Sequence, residues 1–339
     1  MSSGSNYIPT LDGWRALAIA LVLVQHSLIS IGKDVPVLNR LGPHGVGIFF
    51  VLSGYLITTR LLQENLDLGR FYFRRAFRIL PLVILYLSVL FLLHHRLPVS
   101  TGELLATLFF FRNFTLASVM PSNAAGWYTL HFWSLALEEQ FYLLWPWLLL
   151  AMSSRKARLL ALSGAAAVAL WRMLCGPLAV HIYDQSSAWY MRPEFHADGL
   201  LIGCALALWL TNENVAHRLV KTRCLFSISA CMWMALVIAT PEFPSLLESV
   251  AAAGMIAGTM LQPARKPAPL LESAPFRAIG RISYGLYVWQ QLFLVPLAAG
   301  RPLGALQSFP LNLIIIFAVA FASYHLFERP LLNFAHRSS

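Results

Sequence analysis

Among the ionisable residues inside apolar runs of this 339-residue chain are Arg15 and His26 in one, Glu138 and Glu139 in another. Such groups cost roughly 2.5–3.5 kcal/mol each on membrane-insertion scales, so each calls for a partner or a task. Arg15 and His26 are eleven residues apart, close to three helical turns, and therefore face one side of a helix. Along the axis they lie about 16 Å apart. An imidazole titrates near neutrality and suits general-base work; the blander reading is a snorkelling arginine and a histidine bonded to a neighbouring helix. Glu138 and Glu139 point about 100° apart on a helix. One is expected to line a cavity and the other to pair with an arginine or a helix end, the structural alternative being an ion pair that locks two helices.

Arg74, Arg75 and Arg78 form a basic cluster in which Arg75 and Arg78 are neighbours if the segment is helical. Forked guanidiniums suit phosphate oxygens, although a basic cluster also serves membrane orientation or anionic lipid. Ser53 lies among small residues in segment 45–57, where close helix packing is the usual purpose. As a nucleophile it lacks a Gly-x-Ser-x-Gly elbow. Asp198 enters an apolar run, where capping or packing is the commoner role of an aspartate. The four cysteines, Cys175, Cys204, Cys224 and Cys231, form no CxxC pair, and neither a disulfide nor a metal site is expected.

The elements that must position these groups are apolar helices. The chain is 58% hydrophobic and 12% charged, with a mean hydropathy of +0.64, against about 25% charged residues in a soluble domain. An all-α polytopic membrane protein is expected, with a single domain over 1–339. Its apolar runs predict about ten spans: 14–31, 44–62, 79–95, 131–151, 157–174, 196–211, 224–240, 247–262, 282–299 and 311–327. Segment 104–116 is too short to cross and reads as interfacial or re-entrant. The first run carries Arg15 and His26 without a small-residue cleavage site, so it reads as a retained span. With both termini cytoplasmic, eighteen of the 25 basic residues fall on the inner side and seven on the outer. The net charge of +10 is thereby explained by orientation, with no clustered face for nucleic acid.

These residues also spell a family. Segment 11–18 followed by His26, segment 49–57 around Ser53 and Tyr55, and segment 72–81 with its Arg-x-x-Arg all match in order. So do segment 133–142 (from Trp133 through Glu138 and Glu139 to Tyr142), segment 282–287 and segment 327–330. Together they resemble the acyltransferase-3 family of bacterial integral-membrane O-acyltransferases over nearly the whole chain. Two positions depart from its pattern. Gly47 stands where an acidic residue is frequent, and Gln290 follows Trp289 where a histidine is frequent.

The resemblance implies a multi-pass protein of the bacterial inner membrane that transfers an acyl group, acetyl first among them, from acyl-CoA to a hydroxyl of a carbohydrate or related acceptor. It implies no metal or prosthetic group. Arg15, Arg75 and Arg78 are then expected to hold the CoA phosphates, and His26 to act as general base. Glu138 or Glu139 would orient His26 or hold the acceptor, with Ser53, Tyr55, Trp133 and Asp198 as substrate-binding candidates. The alternative is a transporter or flippase for a glycolipid or acylated small molecule, since buried Glu, His and Arg also suit a transport path. A non-catalytic scaffold of the same fold is a further rival.

Overall fold

The computed structural model describes residues 7–64, 66–115, 124–182, 191–239 and 245–337. The helices start and stop where local chemistry dictates. Helix α1 (Pro9–Ile31) opens on proline, whose fixed φ suits the first turn. It closes at Gly32, which takes φ +66 while its amide and that of Lys33 return to the carbonyls of Ile29 and Leu28. After α2 (Leu41–Gln63), α3 (Leu68–Leu92) is capped by Asp67, whose side chain accepts the Arg70 amide at 3.0 Å. A reciprocal Ser100–Glu103 capping box begins α4 (Thr101–Leu108).

There follow α5 (Trp127–Leu130), α6 (Phe132–Ala151), α7 (Ser154–Ile182), α8 (Pro193–His196), α9 (Asp198–Leu210), α10 (Glu213–Lys221), α11 (Leu225–Ala239) and α12 (Leu246–Leu261). The chain ends with α13 (Ala268–Leu271), α14 (Ala274–Arg281), α15 (Ser283–Phe293), α16 (Leu311–Ser323), a π-helical turn at Tyr324–Glu328, and α17 (Arg329–Arg337). Among the described residues there is no β-strand, and the expected all-α class holds.

Five stretches are long and apolar enough to cross a membrane: Pro9–Ile31, Leu38–Gln63, Leu68–Leu92, Ser154–Cys175 and Leu311–Ala335. A sixth arises if α9 and α10, bent by 101°, form one broken span. Of the other expected spans, 131–151 coincides with the 20-residue α6, which carries Glu138 and Glu139, and the rest with shorter helices, α15 being the shortest at 11 residues. It stops at Phe293 instead of reaching 299 because Leu294 leaves helical geometry, two residues before Pro296. Conversely α3 begins at Leu68 instead of 79, so Arg74, Arg75 and Arg78 ride on the helix itself.

Segment 104–116 is no continuous helix. It holds the end of α4 and a tight turn at Arg112–Phe114, with residue 116 outside the described residues. Arg112, 2% exposed, fastens this turn inward by donating to the Thr129 hydroxyl at 2.8 Å and the Gly126 carbonyl at 3.2 Å.

Small residues set how closely the helices approach. A Cβ on Gly54 of α2 would fall 1.9 Å from the Leu200 carbonyl oxygen of α9, and one on Gly203 would fall 2.1 Å from that of Val51. Likewise a Cβ on Gly280 of α14 would meet the Asp12 carbonyl oxygen of α1 at 2.0 Å. Backbones packed this tightly are a mark of helix association in lipid, where dispersion and shape replace the hydrophobic drive. Large apolar side chains such as Leu144 of α6 and Leu326 after α16 face outward at 67% and 79% exposure, as lipid-facing groups do.

Candidate active site

Helices α1, α2, α3, α6 and α15 enclose a cavity of about 240 Å³. Five arginines line it: Arg15, Arg60, Arg74, Arg75 and Arg78. Along α1 the lining runs from Arg15 to Val22, about 10 Å of helix. Val46, Phe49, Ser134, Leu135 and Tyr287 are among the other lining residues. The cavity is thus strongly basic along part of its wall and largely apolar along the rest.

The two carboxylates diverge as their helical spacing requires. Glu138 lines the cavity and accepts the Ser53 hydroxyl at 2.9 Å, tying α6 to α2. Glu139 turns to α3, where it accepts from Arg75 through both carboxylate oxygens, one of them 3.1 Å from Nε. The Arg75 guanidinium also lies 3.5 Å above the ring of Tyr142, one turn further along α6. Arg75 therefore braces α3 against α6 while one edge of it faces the cavity.

Two other cavity arginines are similarly matched. Arg15 pairs with Asp12 at 3.0 Å on its own helix, and Arg74 with Glu64 at 2.7 Å. Arg60 and Arg78 have no hydrogen-bond or ion-pair partner among the described residues, and both are exposed. Of the three expected phosphate ligands, Arg15, Arg75 and Arg78, all line the cavity, but only Arg78 is without a counter-ion. Arg60 is an addition. It lies seven residues, two turns, beyond Ser53 and so shares its face of α2, a spacing legible in the sequence.

His26 is half-buried, one turn beyond Val22, and is not among the cavity-lining residues. Its Nδ1–H donates to Oε1 of Gln290 on α15 at 2.9 Å, and its ring packs edge-on against Trp127, 5.4 Å between centroids. Neither Glu138 nor Glu139 makes a hydrogen bond to it; their contacts are Ser53 and Arg75. The same layer holds His131, whose Nδ1 is 2.6 Å from Gln291 Oε1 and whose Nε2 is 3.1 Å from the Val288 carbonyl. With both ring nitrogens facing acceptors inside the protein, one of which receives the single N–H of a neutral ring, His131 serves the packing of α6 against α15. Tyr287 links the layers: it lines the cavity, and its hydroxyl donates to the His131 carbonyl.

The remaining substrate-binding candidates lie away from this cavity. Tyr55, 5% exposed, packs among the side chains between α2 and its neighbours, on the face opposite Ser53. Trp133 sits edge-on to Phe50 and against His196, ring centroids 6.0 and 5.2 Å away. Asp198 accepts from Arg172 at 2.7 Å and joins the start of α9 to α7. Each is held by packing or by an internal ion pair; Ser53 alone of these candidates lines the cavity.

Gly47 lines a second, much smaller cavity with His44, Trp233 and Glu248. Glu248, from α12, brings a carboxylate to within 2.9 Å of His44 Nδ1, although outside hydrogen-bond alignment. A carboxylate from another helix thus reaches the cavity that Gly47 lines. Among the described residues no cluster of three His, Cys, Asp or Glu side chains could hold a metal ion.

Residues 8–327 match the family model Acyl_transf_3, described as an acyltransferase domain. The Bacillus subtilis (strain 168) protein YrhL is 32% identical, over 98% of this chain and 56% of its own length. The peptidoglycan O-acetyltransferase OatA of Listeria monocytogenes serovar 1/2a is 32% identical, over 84% of this chain and 49% of its own length. The O-acetyltransferase OatA of Staphylococcus aureus (strain NCTC 8325 / PS 47) is 28% identical, over 85% of this chain and 51% of its own length. The chain spans about half the length of the curated relatives it matches. No solved structure matches it.

Proposed function

The chain belongs to the Acyl_transf_3 acyltransferase family, and from that premise we propose that it transfers an acetyl group from acetyl-CoA to a hydroxyl of a cell-envelope carbohydrate at the bacterial inner membrane. Peptidoglycan is the acceptor class to which the names of its relatives point. The observation that carries this reading is the cavity itself: an arginine-rich wall whose lining follows α1 to within one turn of His26.

Each part of the donor finds a chemically suitable surface. Arg78 and Arg60, the two cavity guanidiniums without a counter-ion, meet the phosphates, with Arg15 and Arg75 adding positive potential. Apolar side chains such as Val22, Phe49 and Leu135 accommodate the slender pantetheine arm. About 16 Å of α1 separates Arg15 from His26, a span that such an arm bridges. The thioester then reaches the turn that carries His26.

With Nδ1 protonated and bound to Gln290, Nε2 of His26 offers its lone pair to the acceptor hydroxyl. As that proton moves to Nε2, the acceptor oxygen attacks the thioester carbonyl carbon. The new C–O bond forms and the C–S bond breaks. The CoA sulfur leaves with the electron pair and takes the proton back from His26, so ester and free thiol form in equal amounts. Glu138 with Ser53 supplies a polar wall for the acyl or acceptor group inside the cavity.

Purified protein in detergent, isotopically labelled acetyl-CoA and peptidoglycan fragments test this. Label is expected on the glycan as an alkali-labile ester, with one free thiol for each ester formed. Thiol release and labelling with other carbohydrate fragments but none with peptidoglycan would replace the acceptor. No transfer to any hydroxyl-bearing acceptor would overturn the reading.

A further inference from the structure

We propose that Gln290 is the positioning residue that sets the tautomer and direction of His26, an inference that rests on the reading of His26 as general base. The sequence marks Gln290 as a departure from the family pattern, and the structure puts its side chain on the imidazole. Its Oε1 stands 2.9 Å from Nδ1. An acceptor there holds the proton on Nδ1, leaves Nε2 bare and fixes the ring plane, as outer-sphere partners of functional histidines do.

Two further observations separate this role from space filling. Gln290 is fully buried, and its Nε2 has no acceptor among the described residues. An unsatisfied buried donor is costly, and a methionine would fill the same volume without it. Among the described residues, the only hydrogen bond its side chain makes is to His26.

The second contact of His26 is anchored to the same place. Trp127, edge-on to the imidazole, donates its indole N–H to the Leu294 carbonyl at 2.9 Å. The Leu294 amide in turn donates to the Gln290 carbonyl at 2.8 Å. The C-terminal end of α15 therefore carries Gln290 and anchors Trp127, the hydrogen-bond partner and the aromatic partner of the ring. Premature termination of α15 at Phe293, ahead of Pro296, is what frees the Leu294 carbonyl for Trp127.

Gln290→Met keeps the volume and removes the acceptor; Gln290→Glu keeps an acceptor oxygen at the same reach. Full-length variants in detergent, assayed with acetyl-CoA and peptidoglycan fragments, are expected to separate. Gln290→Met loses about 10–100-fold in kcat, as outer-sphere deletions do, with an unchanged KM for acetyl-CoA and an unchanged thermal midpoint. Gln290→Glu stays within a few-fold of wild type.

A readout independent of turnover is the ¹⁵N spectrum of histidine-labelled protein. Subtracting the spectrum of His26→Ala isolates the His26 signals. They are expected to report Nδ1–H in wild type and a tautomer mixture in Gln290→Met. Wild-type kcat in Gln290→Met, a Gln290→Glu variant as impaired as Gln290→Met, or unaltered His26 signals would each overturn the proposal. Full turnover in His26→Ala would instead remove the general-base reading on which it rests, whatever the spectra report.

Discussion

At the scale of single residues, the cavity arginines differ in what they already hold. Arg75 is engaged by Glu139 and Tyr142, whereas Arg78, one turn along α3, has no counter-ion. Removing them should have different consequences. Arg78→Ala loses a charge-assisted contact to phosphate, worth about 1.5–3 kcal/mol. That corresponds to roughly a tenfold to hundredfold weaker acetyl-CoA affinity, measurable by calorimetry, with an unaltered melting temperature.

Arg75→Ala strands Glu139, and leaving the carboxylate of this part-buried pair without its donors costs about 1–3 kcal/mol. Its melting temperature should fall clearly below that of Arg78→Ala. Equal melting temperatures would contradict the bracing role of Arg75. The divergence of Glu138 and Glu139 was legible from their adjacency on a helix, as was the expectation that one of them meets an arginine. The Gln290–His26 bond was not, because 264 residues separate its partners and no local pattern carries a contact made by the folded bundle.

At the scale of elements, close helix packing at small residues was legible in segment 45–57, but the partner was not. Gly54 meets α9, and a Cβ there would fall 1.9 Å from a backbone oxygen that cannot rotate away. Gly54→Val should abolish the monodisperse peak in detergent or lower the melting temperature steeply. Gly102→Ala is the control: its Cβ would find its nearest neighbour, the Ser100 hydroxyl oxygen, at 3.9 Å, and an unchanged melting temperature is expected.

Helix ends were the least legible feature. Apolar runs mark where lipid contact begins, so α3 was placed from 79 onward, whereas the helix starts at its Asp67 cap. The same bias extended the expected span 282–299 beyond Phe293, where α15 ends. Both differences bear on the site, since the early start puts Arg74, Arg75 and Arg78 on a rigid helix and the early stop shapes the surroundings of His26.

At the scale of the whole molecule, five to six helices pass the length and composition test for a span, whereas the distribution of basic residues leads to an expectation of ten crossings with both termini inside. Shorter helices such as α11, α12 and α15 occupy the other expected spans. A reporter that fluoresces only in the cytoplasm, fused after residue 337, should light up. A reporter active only outside, inserted in the loop holding Lys33 to Arg40, should be active. A silent fluorescent fusion would reverse the orientation and place the arginine-rich part of the cavity away from cytosolic CoA.

In the proposed orientation a cytosolic donor would enter among arginines and hand on its acyl group near His26, deeper along α1. The measurement that tests this most directly is acceptor-dependent release of free CoA by purified wild type and His26→Ala, each supplied with acetyl-CoA and peptidoglycan fragments. Release by wild type alone is expected, with both proteins showing the same melting temperature and the same acetyl-CoA affinity. Equal release by a folded His26→Ala protein would contradict it.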